Sequence, residues 1–381
     1  MLQAQDFTAT APGKVIQLPG GYPAFVPNPL PPTLAYEGRM LGLIEEANRA
    51  LGYLHGSAQI LPNPHMLIRV FQQREALLSS RIEGTVADAQ DLLLADIEKP
   101  ETLPQNVLEV YNYVDALNYG LAQLEKLPVS LRLIRELQKR LLRGVRGQEN
   151  RLGEFRDIPN YVGKPGGFQN AQYIPPPVAE MHLALDLFEK FIHEESQIPA
   201  LVRLALIHYQ FEAIHPFRDG NGRIGRLLIS LLLCSWKLLP KPLLYLSAYF
   251  DKHRDEYFDH LLDVSRRGTW NAWIAFFLQG VAEQALDAVE RSRKLLDLRN
   301  EYHAKMLAGR SSAKTIKLID QLFVLPAMTV PLAKQTLRMS YPGAEHNVQK
   351  LVAAGILQPV EAKHHPKLYR APGILELISV F

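Results

Sequence analysis

Apolar residues recur every three or four positions through most of this chain. The breaks between those stretches are rich in proline and glycine, the pattern of a mainly helical protein. The period predicts helices from Tyr36 to about Leu54, from Met66 to Ser80, and over Val107–Leu124, Leu131–Arg143, Val178–His193 and Ala200–Ala213. Three more follow at Gly222–Trp236, Tyr249–Arg266 and Trp270–Leu298. Residues 1–34 hold few periodic apolar positions and read as an extended arm or irregular lead-in. Between two of the helices, Glu154–Val162 and Gln172–Ile174 flank a turn containing Gly163, Gly166 and Gly167, which predicts a short two-stranded flap.

Near residue 300 the texture changes. Arg310–Lys314 is small and polar, and helical stretches follow at Thr315–Leu325, near Pro331–Leu337 and near Ala344–Ala354, then a strand-turn-strand pattern from Gln358 to Arg370. Three helices and a hairpin in that order suggest a winged helix, a variant of the helix-turn-helix. The expected organisation is an N-terminal region over 1–104, a core over 105–300 and a winged-helix-like domain over 310–381.

Composition narrows the function classes. With 42 basic and 39 acidic residues and a formal charge of +3, the chain lacks the excess of a protein that coats nucleic acid. The N-terminal stretch has no basic start followed by an apolar core, and the longest apolar run reaches about half of the roughly twenty residues a membrane span needs. Cys234 stands alone, so no internal disulfide forms and a cytoplasmic location is expected.

The chemistry concentrates in one segment, His215-Pro216-Phe217-Arg218-Asp219-Gly220-Asn221-Gly222-Arg223-Ile224-Gly225-Arg226, which joins two strongly apolar helices. Its glycines sit at a helix N-terminus, where free backbone N–H groups and the helix dipole favour an anion. Arg223 and Arg226, three apart, share one helix face and suit phosphate oxygens. Asp219 is a hard oxygen ligand suited to magnesium held jointly with phosphates. His215 is the side chain here that ordinarily titrates near neutrality, so it is the candidate general base.

The segment resembles the Fic family signature, HxFx(D/E)GNGRxxR, and matches every fixed position. The resemblance implies a Fic-type helical bundle with a hairpin flap, and transfer of AMP from ATP to a hydroxyl of a target protein. In it His215 takes the hydroxyl proton, Phe217 anchors the loop and Asp219 holds Mg2+. Gly220, Asn221, Gly222 and Arg223 cradle the phosphates, and Arg226 reaches the γ-phosphate. Ser79-Ser80-Arg81-Ile82-Glu83-Gly84 is similar to the family's inhibitory motif, (S/T)xxxE(G/N), which implies that Glu83 pairs with Arg226 and blocks the γ-phosphate position. Gly153-x-Phe155-Arg156 with Gln172 to Pro177 resembles the flap before the active site, and residues 154–174 would then hold the target by strand addition. The same resemblance suggests a homodimer and allows modification of the chain itself. Alternatives are a different nucleotide, removal of AMP, or a DNA-binding regulator in which the Fic part is a sensor.

Other residues have plainer expectations. His208, two turns before His215, lacks the companions of a zinc site. Trp270, Trp273, Phe276 and Phe277 are at core spacing. Lys363, His364, His365 and Lys367 in the wing could touch a phosphate backbone or simply be solvated.

Overall fold

The computed structural model describes residues 2–36, 38–60, 64–87, 102–145, 151–309, 312–360 and 367–378. It opens with a β-hairpin rather than the irregular arm expected there: β1, Gly13–Leu18, pairs antiparallel with β2, Tyr22–Pro27, across the Gly20-Gly21 turn. The prolines of β2 sit where they remove no rung. The Phe25 N–H points away from β1, to the carbonyl of Ile174, and Pro23 and Pro27 share its parity.

Helix α1 spans Gly38–Ile60, beyond the expected end at Leu54, and α2 spans Pro64–Ile82. Then come α3, Gln105–Gln123, and α4, Leu131–Leu141, the latter capped by the Ser130 hydroxyl on the Leu133 amide. The flap is shorter than its pattern suggested. Only β3, Val162–Gly163, and β4, Ala171–Tyr173, pair, with an irregular register between them. Helices α5, Val178–His193, α6, Ala200–Ile214, and α7, Asn221–Ser235, follow. Almost every side chain of α6 and α7 is buried, so this pair is the centre of the core.

The stretch expected as one helix over Tyr249–Arg266 is two, α8, Ser247–Lys252, and α9, Arg254–Arg267. His253 leaves helical geometry between them, and Asp255 and Glu256 supply the acidic first turn that favours a fresh start. Helix α10, Trp270–Ala308, continues ten residues past Leu298, because Tyr302 and Met306 extend its buried stripe. It packs along α1 and against α6, and it carries the C-terminal elements.

Those elements are α11, Ala313–Leu322, β5, Ala327–Thr329, α12, Val330–Leu337, α13, Tyr341–Ala353, β6, Gln358–Pro359, β7, Leu368–Arg370, and α14, Pro372–Ile378. The sheet order is β5-β7-β6, compatible with a winged helix. Strand β5 and helix α14 went unforeseen because each is only a few residues long. Lys363, His364 and His365 lie outside the described residues. The fourteen α-helices and small sheets among the described residues make the protein mainly α, as the periodicity predicted.

Candidate active site

The end of α6 sets the geometry. The His215 amide still donates to the Phe211 carbonyl, but the residue itself takes the left-handed conformation (φ 49°, ψ 60°) and turns the chain out of the helix. Its Nδ1 lies 3.3 Å from the Glu212 carbonyl. With the proton on Nδ1, where that carbonyl accepts it, the Nε2 lone pair is left for a substrate. Burial, helped by the nearby Arg156 cation, pushes the imidazole down to about 4, against the opposing pull of the Glu212 carbonyl and Glu83. It is therefore neutral at physiological pH.

The loop after it is closed reciprocally. The Phe217 amide donates to Asn221 Oδ1 (2.8 Å) and Asn221 Nδ2 returns to the Phe217 carbonyl (2.9 Å), while the Phe217 ring is buried against Phe155. Gly220, at φ 84°, is the N-cap of α7. Gly222 is required by contact rather than by its backbone angle. A Cβ there would lie 2.2 Å from Glu83 Oε1 and 3.0 Å from Arg226 Nη1. The Glu83 carboxylate therefore rests on the first turn of α7, where free N–H groups and the helix dipole favour negative charge.

Arg226 binds that carboxylate. Its Nη2 donates to Glu83 Oε1 (2.7 Å) and to the Ser79 carbonyl (2.9 Å), and its Nε to the Ser79 hydroxyl (2.9 Å). The Arg226 side chain is 1% exposed and that of Glu83 35%. Burial would raise Glu83, but Arg226 overrides it and holds the carboxyl below its ordinary range. Burial would likewise lower Arg226, and Glu83 raises it instead. Among the described residues, Arg226 Nη1 has no hydrogen-bond partner.

The second arginine is turned aside. Arg223 Nη1 reaches Glu109 Oε2 on α3 (3.3 Å), which also accepts the Thr85 hydroxyl (2.6 Å), and Nη2 lies 3.5 Å from Asp219 Oδ1. Asp219 Oδ1 takes the Gly220 amide at 2.6 Å, and burial raises the carboxyl against the pull of Arg223. His215, Asp219, Gly220, Asn221, Gly222, Arg223, Arg226 and Glu83 are thus one cluster.

Three neighbours of the cluster were not singled out from the sequence. Glu109 interrupts the apolar run of α3, and Gln138 lies on the buried face of α4 with Ile134, Leu137 and Leu141. Gln138 accepts the Gly153 amide and donates to the Asp219 carbonyl. Glu212, a lone carboxyl on an otherwise apolar helix, is pushed by burial up to about 8, with Arg226 opposing. A polar residue on an apolar face was the available signal for all three.

His208 is elsewhere, packed among Phe250, Tyr257 and Trp273 with Nε2 2.8 Å from the Tyr257 hydroxyl, and burial drives it to about 3. Trp270, Trp273, Phe276 and Phe277 are core residues. Burial raises the Cys234 thiol to about 12, so it is unreactive at neutral pH. Lys367 lies over the Tyr369 ring.

Two family models match. One, described as Fic/DOC family N-terminal, covers residues 41–122; the other, described as Fic/DOC family, covers residues 128–233. The chain belongs to the Fic/DOC family. It is similar to the protein adenylyltransferase Fic of Drosophila grimshawi, 31% identical over 175 residues, 45% of this chain and 32% of that protein. The chain therefore spans about a third of the length of the curated relatives it matches. A Fic family protein from Desulfovibrio desulfuricans G20 superposes with a TM-score of 0.58 at 18% identity, covering 90% of this chain and 98% of that one. Fic-1 from C. elegans (residues 134–508) gives 0.50 at 21% identity, covering 68% of this chain and 74% of that one. At such identities the likeness is one of fold. No helix among the described residues is long and apolar enough to cross a membrane.

Proposed function

We propose that this chain transfers AMP from ATP to a hydroxyl side chain of a target protein and is held inactive by Glu83. The observation that carries this reading is the arrangement of one loop: the His215 imidazole at its start, with Nδ1 3.3 Å from the Glu212 carbonyl, and an anion site at its end on Gly222 and Arg226 that is filled by the chain's own carboxylate.

With Glu83 withdrawn, the α7 N-terminus and the unpartnered Arg226 Nη1 would receive phosphate oxygens. Gly220, Asn221, Gly222 and Arg223 would line the α- and β-phosphates, and Arg226 the γ-phosphate. The target hydroxyl oxygen attacks the α-phosphorus, His215 Nε2 takes the proton, and the bond to the β-phosphate oxygen breaks to release pyrophosphate. Positioning and charge neutralisation supply most of the acceleration. Asp219, a half-exposed carboxylate at the loop, has the donor chemistry for one Mg2+ shared with the phosphates. That ion would offset the charge developing on the leaving pyrophosphate. The edge of the β3–β4 hairpin would hold the target backbone, and a second copy of the chain is one candidate target.

The test uses wild type, Glu83→Gly and Glu83→Gly/His215→Ala with Mg2+, cell lysate and ATP labelled at either the α or the γ phosphate. Label from the α position is expected on protein in Glu83→Gly, far less in wild type, and none in the double variant. Transfer of γ-label instead would make the fold a kinase, and an unchanged rate in the double variant would remove His215 as the base. The order of α11, α12, α13 and the β5-β7-β6 sheet favours a second reading, binding of DNA. No gel shift at low salt would exclude it.

A further inference from the structure

Arg156 has a role that its place in the flap does not explain. It is 1% exposed, and among the described residues its guanidinium meets only carbonyls, with no carboxylate partner. Nε donates to the His215 carbonyl (3.0 Å), and Nη2 to the carbonyls of Pro176 (2.6 Å) and Ile214 (3.4 Å). Nη1 reaches Ile158 (3.4 Å), and the Arg156 backbone amide donates to Pro216 (2.9 Å). Burying a cation without a counter-ion is costly, and burial lowers this one to about 10. The compensation comes from the negative end of α6, whose last carbonyls it caps.

The bonds join three things. Ile158 and Pro176 are the two roots of the flap, and Ile214, His215 and Pro216 are the turn that presents the imidazole. We propose that Arg156 is a positioning residue for His215. It ties both roots of the target-holding flap to the backbone of the base, so that seating a target and orienting the base are one event. The planar fork is needed for this, because a single ammonium cannot span carbonyls on opposite sides. Neighbouring ties are weaker versions of the same idea: Asn160 Nδ2 holds the Phe217 carbonyl, and the Tyr173 hydroxyl that of Ala213. The inference rests on the reading of His215 as base.

The experiment has two arms. Amide hydrogen exchange is compared in the wild-type chain, Arg156→Lys, Arg156→Gln and Asn160→Ala, without nucleotide. Arg156→Lys keeps charge and bulk and is the variant expected to fold if Arg156→Gln does not. Exchange is expected to quicken together across 158–174 and at the His215 and Phe217 amides in the Arg156 variants, and in the flap alone for Asn160→Ala. In the Glu83→Gly background, kcat for AMP transfer is expected to fall at least tenfold in Arg156→Lys and further in Arg156→Gln, with KM for ATP within twofold. An unchanged kcat overturns the proposal, as does faster flap exchange with the His215 amide unmoved. If Glu83→Gly with Arg156 intact transfers no AMP, the adenylyl-transfer reading fails, and the exchange arm alone decides the coupling.

Discussion

Arg226 is the residue on which the site's electrostatics turn. It is buried, it spends Nε and Nη2 on Ser79 and Glu83, and it leaves Nη1 unbonded among the described residues over Gly222. Removing Glu83 leaves that cation without its carboxylate partner. The stability lost lies between the ~0–1 kcal/mol of an exposed pair and the ~3–5 kcal/mol of a buried one, since Glu83 keeps about a third of its surface. Gly222→Ala tests the close approach at the first turn of α7. Its Cβ overlaps the place of Glu83 and equally that of any phosphate, so ATP binding measured by calorimetry should be weakened even in the Glu83→Gly background. Tight ATP binding by that double variant would contradict the close approach. His215 gives a pH signature. Burial and Arg156 disfavour the imidazolium, and loss of Glu83 lowers its affinity for a proton further. The imidazole therefore stays neutral to lower pH than an ordinary histidine. In Glu83→Gly, kcat/KM for transfer should be level from pH 8 to about 5 and fall only towards pH 4. A fall centred near the ordinary value of ~6.5 would show that the imidazole is solvated when it reacts.

Helix α2 brings Glu83 to the site, and its hold on the rest of the protein sets how easily it leaves. Glu75, Ser79 and Glu83 are four apart and share one face. Glu75 is buried, with its carboxylate accepting the Ser247 amide and hydroxyl and the Tyr113 hydroxyl. At the other end, Arg81 Nε donates to both oxygens of Asp251 (3.1 and 3.0 Å), and Arg254 Nε donates to the Ile82 carbonyl (3.0 Å). Helices α8 and α9 thus clamp the turn that carries Glu83. The exposed member of the clamp is the Arg81–Asp251 pair, and loss of such a pair is worth about 0.2–1 kcal/mol. Asp251→Asn should raise the initial rate of α-label transfer by roughly two- to fivefold, well short of Glu83→Gly. A rate equal to wild type would mean that α2 is held by its buried contacts alone.

The whole molecule braces the flap from the outside. Phe25 of β2 is fully buried, stacks on Phe7 with centroids 5.1 Å apart, and bonds through its amide to Ile174 beyond β4. Phe25→Ala should cost about 3–5 kcal/mol in denaturant unfolding, with a raised KM for the target because the flap loses its outer support. A loss under ~1 kcal/mol would show the hairpin to be an appendage. The limits of the sequence are clearest at this scale. By itself it determined what is local: the dense apolar runs of α6 and α7, the twelve contiguous residues from His215 to Arg226, and the Ser79–Glu83 spacing on one helix face. Covalent distance guarantees that those groups are neighbours wherever the chain goes. The β1–β2 hairpin was hidden because its strands hold few periodic apolar positions, and only their pairing shows that Pro23 and Pro27 remove no rung. Only the tertiary structure decided the rest: which carboxylate meets which arginine across 143 residues of chain, that Arg223 faces Glu109, and that Arg156 caps the helix presenting His215. Such pairings follow from how helices pack and which charges are buried together, and these depend on the whole core rather than on any one segment.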